Sequence, residues 1–361
     1  MFCDLSKAFD CVNHGILLRK LSAYGIRGRA LVWFECFLSG REQFVHLNTV
    51  PSGRQSVDCG VPQGSVLGPI LFLLYINDLI NLDIKGLFTL FADDTSVLWC
   101  SKSPEQLAAD IARDFLEIKQ WCDANQLCLN MSKTHLVGFN CDLGDLNLGD
   151  GSIGSVDHTK FLGLTIDNSL KFRQHIVRLN RKLSSGCFAV RTTCKELGKI
   201  VARDVYFAVV ESHLAYALPF WGSCSGYLFQ SVFVLQKRAV RNLSNARPGT
   251  HCRPLFVGNN ILTLPSLFVL ETACLIHRNR NYFPDHQRAY ITRRFNDVPL
   301  PIPHLSLVRD SFMYNGLKVY NHISLEVRAI QDIGHFRKCL KIYLLKRAFY
   351  SVDEFLQSSD M

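Results

Sequence analysis

The chain has 361 residues, 48% hydrophobic and 20% charged. That is apolar material enough for about two packed domains, and it excludes wholesale disorder. The formal net charge of +9 is uneven: residues 1–167 carry 13 Lys and Arg against 19 Asp and Glu, and residues 168–361 carry 27 against 12. An acidic half before a basic one points to a catalytic metal centre beside a polyanion-binding surface; the plainer alternative is Lys and Arg on the solvated faces of long helices.

Fourteen cysteines run from Cys3 to Cys339 with no C-x-x-C pair. Zinc sites need clustered ligands, so free, largely buried thiols in a reducing compartment are expected instead. Asp4, Lys7 and Asp10 interrupt any apolar start, and the longest apolar run, 66–76, is short and contains Gly68 and Pro69. The expectation is a protein without a membrane span, intracellular in nucleus or cytoplasm, and not secreted.

Residues 1–3 are apolar and abut Asp4, as the end of a strand does. Segments 14–26 and 29–40 have helical spacing and close on Gly25 and Gly40. Segment 41–65 alternates and is rich in turn residues, which predicts a short hairpin. Residues 69–82 read as a buried helix with Pro69 in its first turn. Then "LFADDTSVLW" places Asp93 and Asp94 inside an apolar run. A tight turn between two strands explains the pair, and so does a turn that holds two carboxylates for a divalent metal.

Segment 103–127 is a clear amphipathic helix, with Ser103 as cap and Pro104 at its first position. Segments 133–139 and 158–167 read as strands. Long helices are predicted at 174–197, 200–216 and 228–243. A Gly/Pro-rich polar segment comes next at 244–260, then helices near 264–279 and 334–349, with a proline-bearing stretch at 299–303. The domain boundary is expected near 167, where charge sign and texture both change.

This element order lets the first strand lie beside the hairpin, so that Asp4 and Asp93 face each other across adjacent strands. Facing carboxylates repel unless a cation lies between them, and Mg²⁺ suits oxygen ligands that phosphates complete.

The segments "FCDLSKAFDCVNH", "GVPQGSVLGPILFLLYINDL", "FADDTSVL", "LCLNMSKTHLVGF" and "TKFLGLTID" occur in the order of the palm motifs, A to E, of reverse transcriptases. They resemble most those of non-LTR (LINE-type, jockey-like) retrotransposons. The later "LAYALPFWG", "LQKRAVRNL" and "ILTLPSLFVLE" are similar to the thumb side of the same elements, so the resemblance covers nearly the whole chain. It implies an α+β fold: a palm of antiparallel sheet packed on helices over 1–167, then a mostly helical, basic thumb and C-terminal region over 168–361. The fingers that precede motif A in the family are expected to be missing, as in an N-terminally truncated fragment. That loss is expected to leave a sheet edge open beside Asp4.

The implied activity is RNA-directed DNA synthesis by two-metal nucleotidyl transfer. It extends a DNA primer on an RNA template with dNTPs, two Mg²⁺ ions (Mn²⁺ as substitute) and no obligate protein partner. The alternative is a catalytically inactive nucleic-acid-binding remnant.

By the resemblance Asp4 and Asp93 are the principal metal ligands, with Asp94 assisting or touching the primer end. Lys133 lies near the leaving pyrophosphate, unless it is a surface Lys in a turn. Phe9 matches the bulky residue beneath the sugar, unless it is an ordinary core Phe. Gln63 and Gly64 belong to the loop on the incoming nucleotide, where Gly64 and Gly68 let backbone approach nucleic acid. Phe161, Leu162 and Gly163 match the primer grip, which a plain hairpin also explains. Asp10 and Asn77-Asp78 take structural parts. Arg178, Arg181 and Lys182 share a helix face by spacing, as do Lys237, Arg238 and Arg241, and both sets suit phosphate backbones.

Overall fold

The computed structural model describes residues 1–141, 143–147, 151–283, 297–302 and 306–358. They form two units, Met1–Gly163 and Leu164–Met361.

Strand Phe2–Cys3 organises the first unit. On one side it pairs antiparallel with strand Asp94–Leu98, with Phe2 opposite Ser96 and Cys3 opposite Thr95. That strand pairs in turn with Leu87–Phe91, from Leu87 opposite Leu98 to Phe91 opposite Asp94. On the other side, Phe2 and His135 exchange both backbone hydrogen bonds, at 2.9 and 3.0 Å. Further along, Leu5–Ser6 pairs with Cys128–Leu129. The segment around Asp4 is therefore flanked on both sides, and the expected open edge is absent there. Segment 133–139, predicted as a strand, contributes only bridges at His135 and Leu136. Within it Thr134 is buried, and its Oγ1 donates to the Asn130 carbonyl at 2.9 Å.

Helices His14–Ala23, Arg29–Leu38, Leu67–Ile76 and Pro104–Ala124 surround this core. Asn13 caps the first through the Ile16 amide, and Ser103 caps the last through Gln106. Leu17, Leu21, Leu38, Phe72, Tyr75, Phe115 and Ile118 are all buried, each contributing roughly 1.5–3 kcal/mol of transfer free energy. Helix Leu67–Ile76 is apolar all round yet buried on one face only. Leu71, Phe72, Tyr75 and Ile76 face inward, while Ile70 and Leu73 are half exposed. The predicted hairpin at 41–65 is a short ladder of Glu42–Gln43 with Gln55–Ser56 and His46–Leu47 with Val50–Pro51.

In the second unit, helix Arg173–Leu197 packs along Gly226–Leu243 and Lys199–Tyr206. A π-helical turn, Phe207–Glu211, continues the latter. Helix Leu264–Arg278 runs through the interior, and its residues 264–270 are all buried. Gln236, fully buried, is satisfied by Tyr206 Oη, the Leu262 carbonyl and the Leu264 amide at 3.0, 2.9 and 2.7 Å. The segment read as irregular, 244–260, contains a short helix, Arg253–Gly258. Helices Phe312–His322 and Val352–Leu356 also carried no sequence expectation. Of the proline-bearing stretch, 299–302 has no regular structure and Pro303 lies outside the described residues.

The units part at Gly163, four residues before the expected 167. Leu164 packs against the second unit's core. The buried Asp167 accepts from the Lys171 and Arg173 amides at 2.9 and 3.0 Å, which ties strand Leu164–Asp167 to the start of the long helix. Among the described residues, no helix is long and apolar enough to cross a membrane.

Candidate active site

Two residues, Ala92 and Asp93, connect the strands of the carboxylate hairpin. Ala92 adopts φ 53°, a left-handed conformation that strains an L-residue. Asp94 is the first residue of the returning strand. Because Cys3 lies opposite Thr95, the register sets Asp4 level with Asp94. Asp93, expected to face Asp4, sits in the turn, because a two-residue connection leaves it no strand position.

Burial pushes the Asp94 carboxyl above its ordinary range, and the charges of Asp93 and Asp4 push it further, against Lys160. Lys133 Nζ stands 3.7 Å from Asp4 Oδ2, the lysine exposed and the carboxylate partly buried. Asp4, Asp93, Asp94 and Lys133 thus meet at one place. Lys160 joins them without having been singled out in the sequence; its signal was its position directly before the Phe161-Leu162-Gly163 turn.

Among the described residues, no group of three or more His, Cys, Asp and Glu side chains is placed to hold a metal ion by itself. The donor set nevertheless fits a hard cation. Mg²⁺ binds through one or two carboxylates and completes its shell with water and substrate phosphates.

Phe9 is half buried with its ring 4.4 Å from that of Phe72, on the rim of the core. Gln63 and Gly64 are exposed, and Gly64 has φ 81° with open space where a Cβ would stand. Gly68 differs from expectation. It is buried, and a Cβ there would lie 2.5 Å from the Pro62 carbonyl, so its bareness lets the helix start close on its own loop. Asp10, expected to be merely structural, accepts from Gln63 Nε2 at 2.8 Å. Asp78 pairs with Lys20 at 2.7 Å, a structural contact as expected.

The Phe161 ring lies tilted against that of Phe2, with ring centroids 5.3 Å apart, so its strand runs close to strand Phe2–Cys3, which leads into Asp4. Leu162 and Gly163 both have positive φ, 45° and 81°, as a tight two-residue turn requires.

In the second unit Arg178, Arg181 and Lys182 are exposed along one helix, and Arg178 also bonds Thr165 Oγ1 at 2.8 Å. The other trio is divided. Arg238 is exposed, whereas Lys237 lies over the Phe233 and Tyr350 rings and Arg241 donates to the Thr250 carbonyl at 2.9 Å. Of the fourteen thiols, six are buried and four, Cys36, Cys59, Cys100 and Cys128, are exposed.

Residues 1–166 match the reverse transcriptase (RNA-dependent DNA polymerase) family. This part of the chain belongs to that family. Similarity to polymerases of non-LTR retrotransposons extends past the reverse transcriptase domain into the second unit. Identity is 27% over 259 residues to the RNA-directed DNA polymerase from mobile element jockey of Drosophila funebris, covering 68% of this chain and 28% of that protein. It is 27% over 254 residues to the probable RNA-directed DNA polymerase from transposon X-element of Drosophila melanogaster, covering 67% and 28%. For the transposon BS counterpart of the same species it is 25% over 266 residues, covering 68% and 29%. The chain spans less than a third of the length of these relatives.

Proposed function

We propose that this chain performs RNA-directed DNA synthesis, adding dNTPs to a DNA primer on an RNA template. In this reading Met1–Gly163 is the palm and Leu164–Met361 contains the thumb. The observation that carries it is the strand register that levels Asp4 with Asp94, with Asp93 in the adjoining turn and Lys133 3.7 Å from Asp4.

Asp4, Asp93 and Asp94 would hold two Mg²⁺ ions, or Mn²⁺ in their place. Bound there, such ions activate the primer hydroxyl and neutralise phosphate charge. Lys133 brings an ammonium beside the carboxylates, where pyrophosphate charge develops on leaving. Phe9, backed by Phe72, closes the space beneath the sugar. Gln63 and Gly64 meet the nucleotide, and Phe161, Leu162 and Gly163 hold the primer strand. Arg178, Arg181, Lys182 and Arg238 lie along phosphate backbones, with Lys237 and Arg241 shaping the second helix surface. Contacts of that kind are sequence-independent and weaken steeply with salt.

Mn²⁺ titration followed by its paramagnetic resonance tests the metal assignment. With a recessed primer–template and a dNTP present, Asp4→Asn and Asp94→Asn should each weaken Mn²⁺ binding by about tenfold or more. Equal binding by all three proteins would refute it.

A further inference from the structure

Asp10 has no part in the reaction described above, yet its carboxylate meets the side chain at the centre of the nucleotide loop. Gln63 Nε2 donates to Asp10 Oδ1 at 2.8 Å, between two exposed residues 53 positions apart. The backbones beneath are already fastened without it. The Gly60 amide donates to Val12 O at 2.8 Å and the Val61 amide to Phe9 O at 2.9 Å. His14 Nε2 lies 2.8 Å from Gly60 O. Gly60, with φ 85°, comes so close that a Cβ would stand 2.9 Å from the Asp10 carbonyl. The loop is held by its backbone, which leaves the side-chain bond free to set orientation.

An amide has a donor end and an acceptor end, whereas an ionised carboxylate only accepts. Asp10 therefore draws the NH₂ of Gln63 toward itself and leaves Oε1 as the end that faces away. We propose that Asp10 is a positioning residue that presents Gln63 Oε1 as a hydrogen-bond acceptor to the incoming nucleotide. The loop then recognises a donor on that nucleotide, a hydroxyl or amino group. The Oε1 end does not suit a phosphate oxygen, which only accepts. This rests on the nucleotide-site reading given under the proposed function.

Two measurements separate the parts. Side-chain amide spectra of ¹⁵N-glutamine-labelled protein read the orientation without any need for activity. The Gln63 NH₂ pair should be distinct and slowly exchanging in the parent and in Asp10→Asn, whose Oδ1 still accepts. In Asp10→Ala it should collapse to a solvent-like signal, and an unchanged signal there overturns the proposal.

Primer-extension kinetics read the consequence. Asp10→Ala should raise KM for dNTP about tenfold with kcat within twofold, as expected for loss of one charge-assisted bond that orients a binding group. Asp10→Asn should restore most of the affinity. Gln63→Glu should be poor alone and improve when combined with Asp10→Asn, whose Nδ2 can donate to the new carboxylate. Equal falls in kcat for both Asp10 variants, or an unchanged KM, overturns the proposal. If the parent extends no primer, the nucleotide-site reading fails, and the amide spectra alone decide the orientation.

Discussion

Asp114 is the residue whose loss should most disturb the carboxylate hairpin from a distance. It is fully buried in helix Pro104–Ala124 and collects donors from both ends of the hairpin's base. Oδ2 accepts from the Lys85 and Gly86 amides at 2.8 and 3.0 Å and from Trp99 Nε1 at 2.7 Å. Oδ1 accepts from Arg113 Nε and Nη2 at 3.0 and 2.5 Å. Lys85 and Gly86 lead into strand Leu87–Phe91, and Trp99 comes directly after strand Asp94–Leu98. One carboxylate thus pins the open end of a hairpin whose tip, about 17 Å away at five residues per strand, carries Asp93 and Asp94.

Asp114→Ala leaves three part-buried N–H groups without their carboxylate, while Arg113, about half exposed, can turn to water. Removing one partner of a buried pair costs about 3–5 kcal/mol, and the escape of Arg113 places this case near the lower figure. The assay is hydrogen exchange read by mass spectrometry. Peptides spanning 85–99 should lose roughly a hundredfold in amide protection while those of the second unit keep theirs. A change below about threefold would refute the reasoning.

The pH dependence has a definite sign. Burial pushes the Asp114 carboxyl up, but bonds from Trp99, Arg113 and Gly86 outweigh it, so the net shift is downward. The stabilisation is therefore present above the ordinary carboxylate range and is lost as pH falls through the folded-state value. Asp114→Asn should abolish that acid limb. Ala92→Gly should relieve the left-handed strain at φ 53° and stabilise the hairpin by about 1 kcal/mol, seen as roughly fivefold slower exchange across 87–98. Faster exchange would show that the turn is not strained. In the second unit, burial raises the Glu211 carboxyl to about 7, with Lys341 opposing. A raised carboxyl supports the fold while protonated, so the parent should lose stability as pH climbs through about 7. Glu211→Gln should remove that slope and gain up to roughly 3 kcal/mol at pH 8 in urea unfolding. An unchanged slope would contradict the assignment.

Much of this architecture is legible in the sequence because its signals are local. Apolar spacing and capping residues mark the helices at 14–23 and 104–124, and the two carboxylates within an apolar run mark the hairpin. The contacts that aim the site are not local. Asp10 with Gln63, and Asp114 with Trp99 and Gly86, join residues whose spacing carries no period, so neither pair stood out. The exchange of Asp93 for Asp94 opposite Asp4 turned on a two-residue connection, and a one-residue slip moves a side chain to another face. The helices Arg253–Gly258 and Val352–Leu356 are too short to display a period at all.

Primer extension on an RNA template with Mg²⁺ and dNTPs, run beside Asp93→Ala, tests the central claim most directly. The account predicts dNTP addition by the parent chain and a loss of at least about a hundredfold on removing that carboxylate. Extension that survives the substitution would contradict it. So would a parent chain that binds duplex in a salt-sensitive way yet adds no nucleotide, the behaviour of a binding remnant.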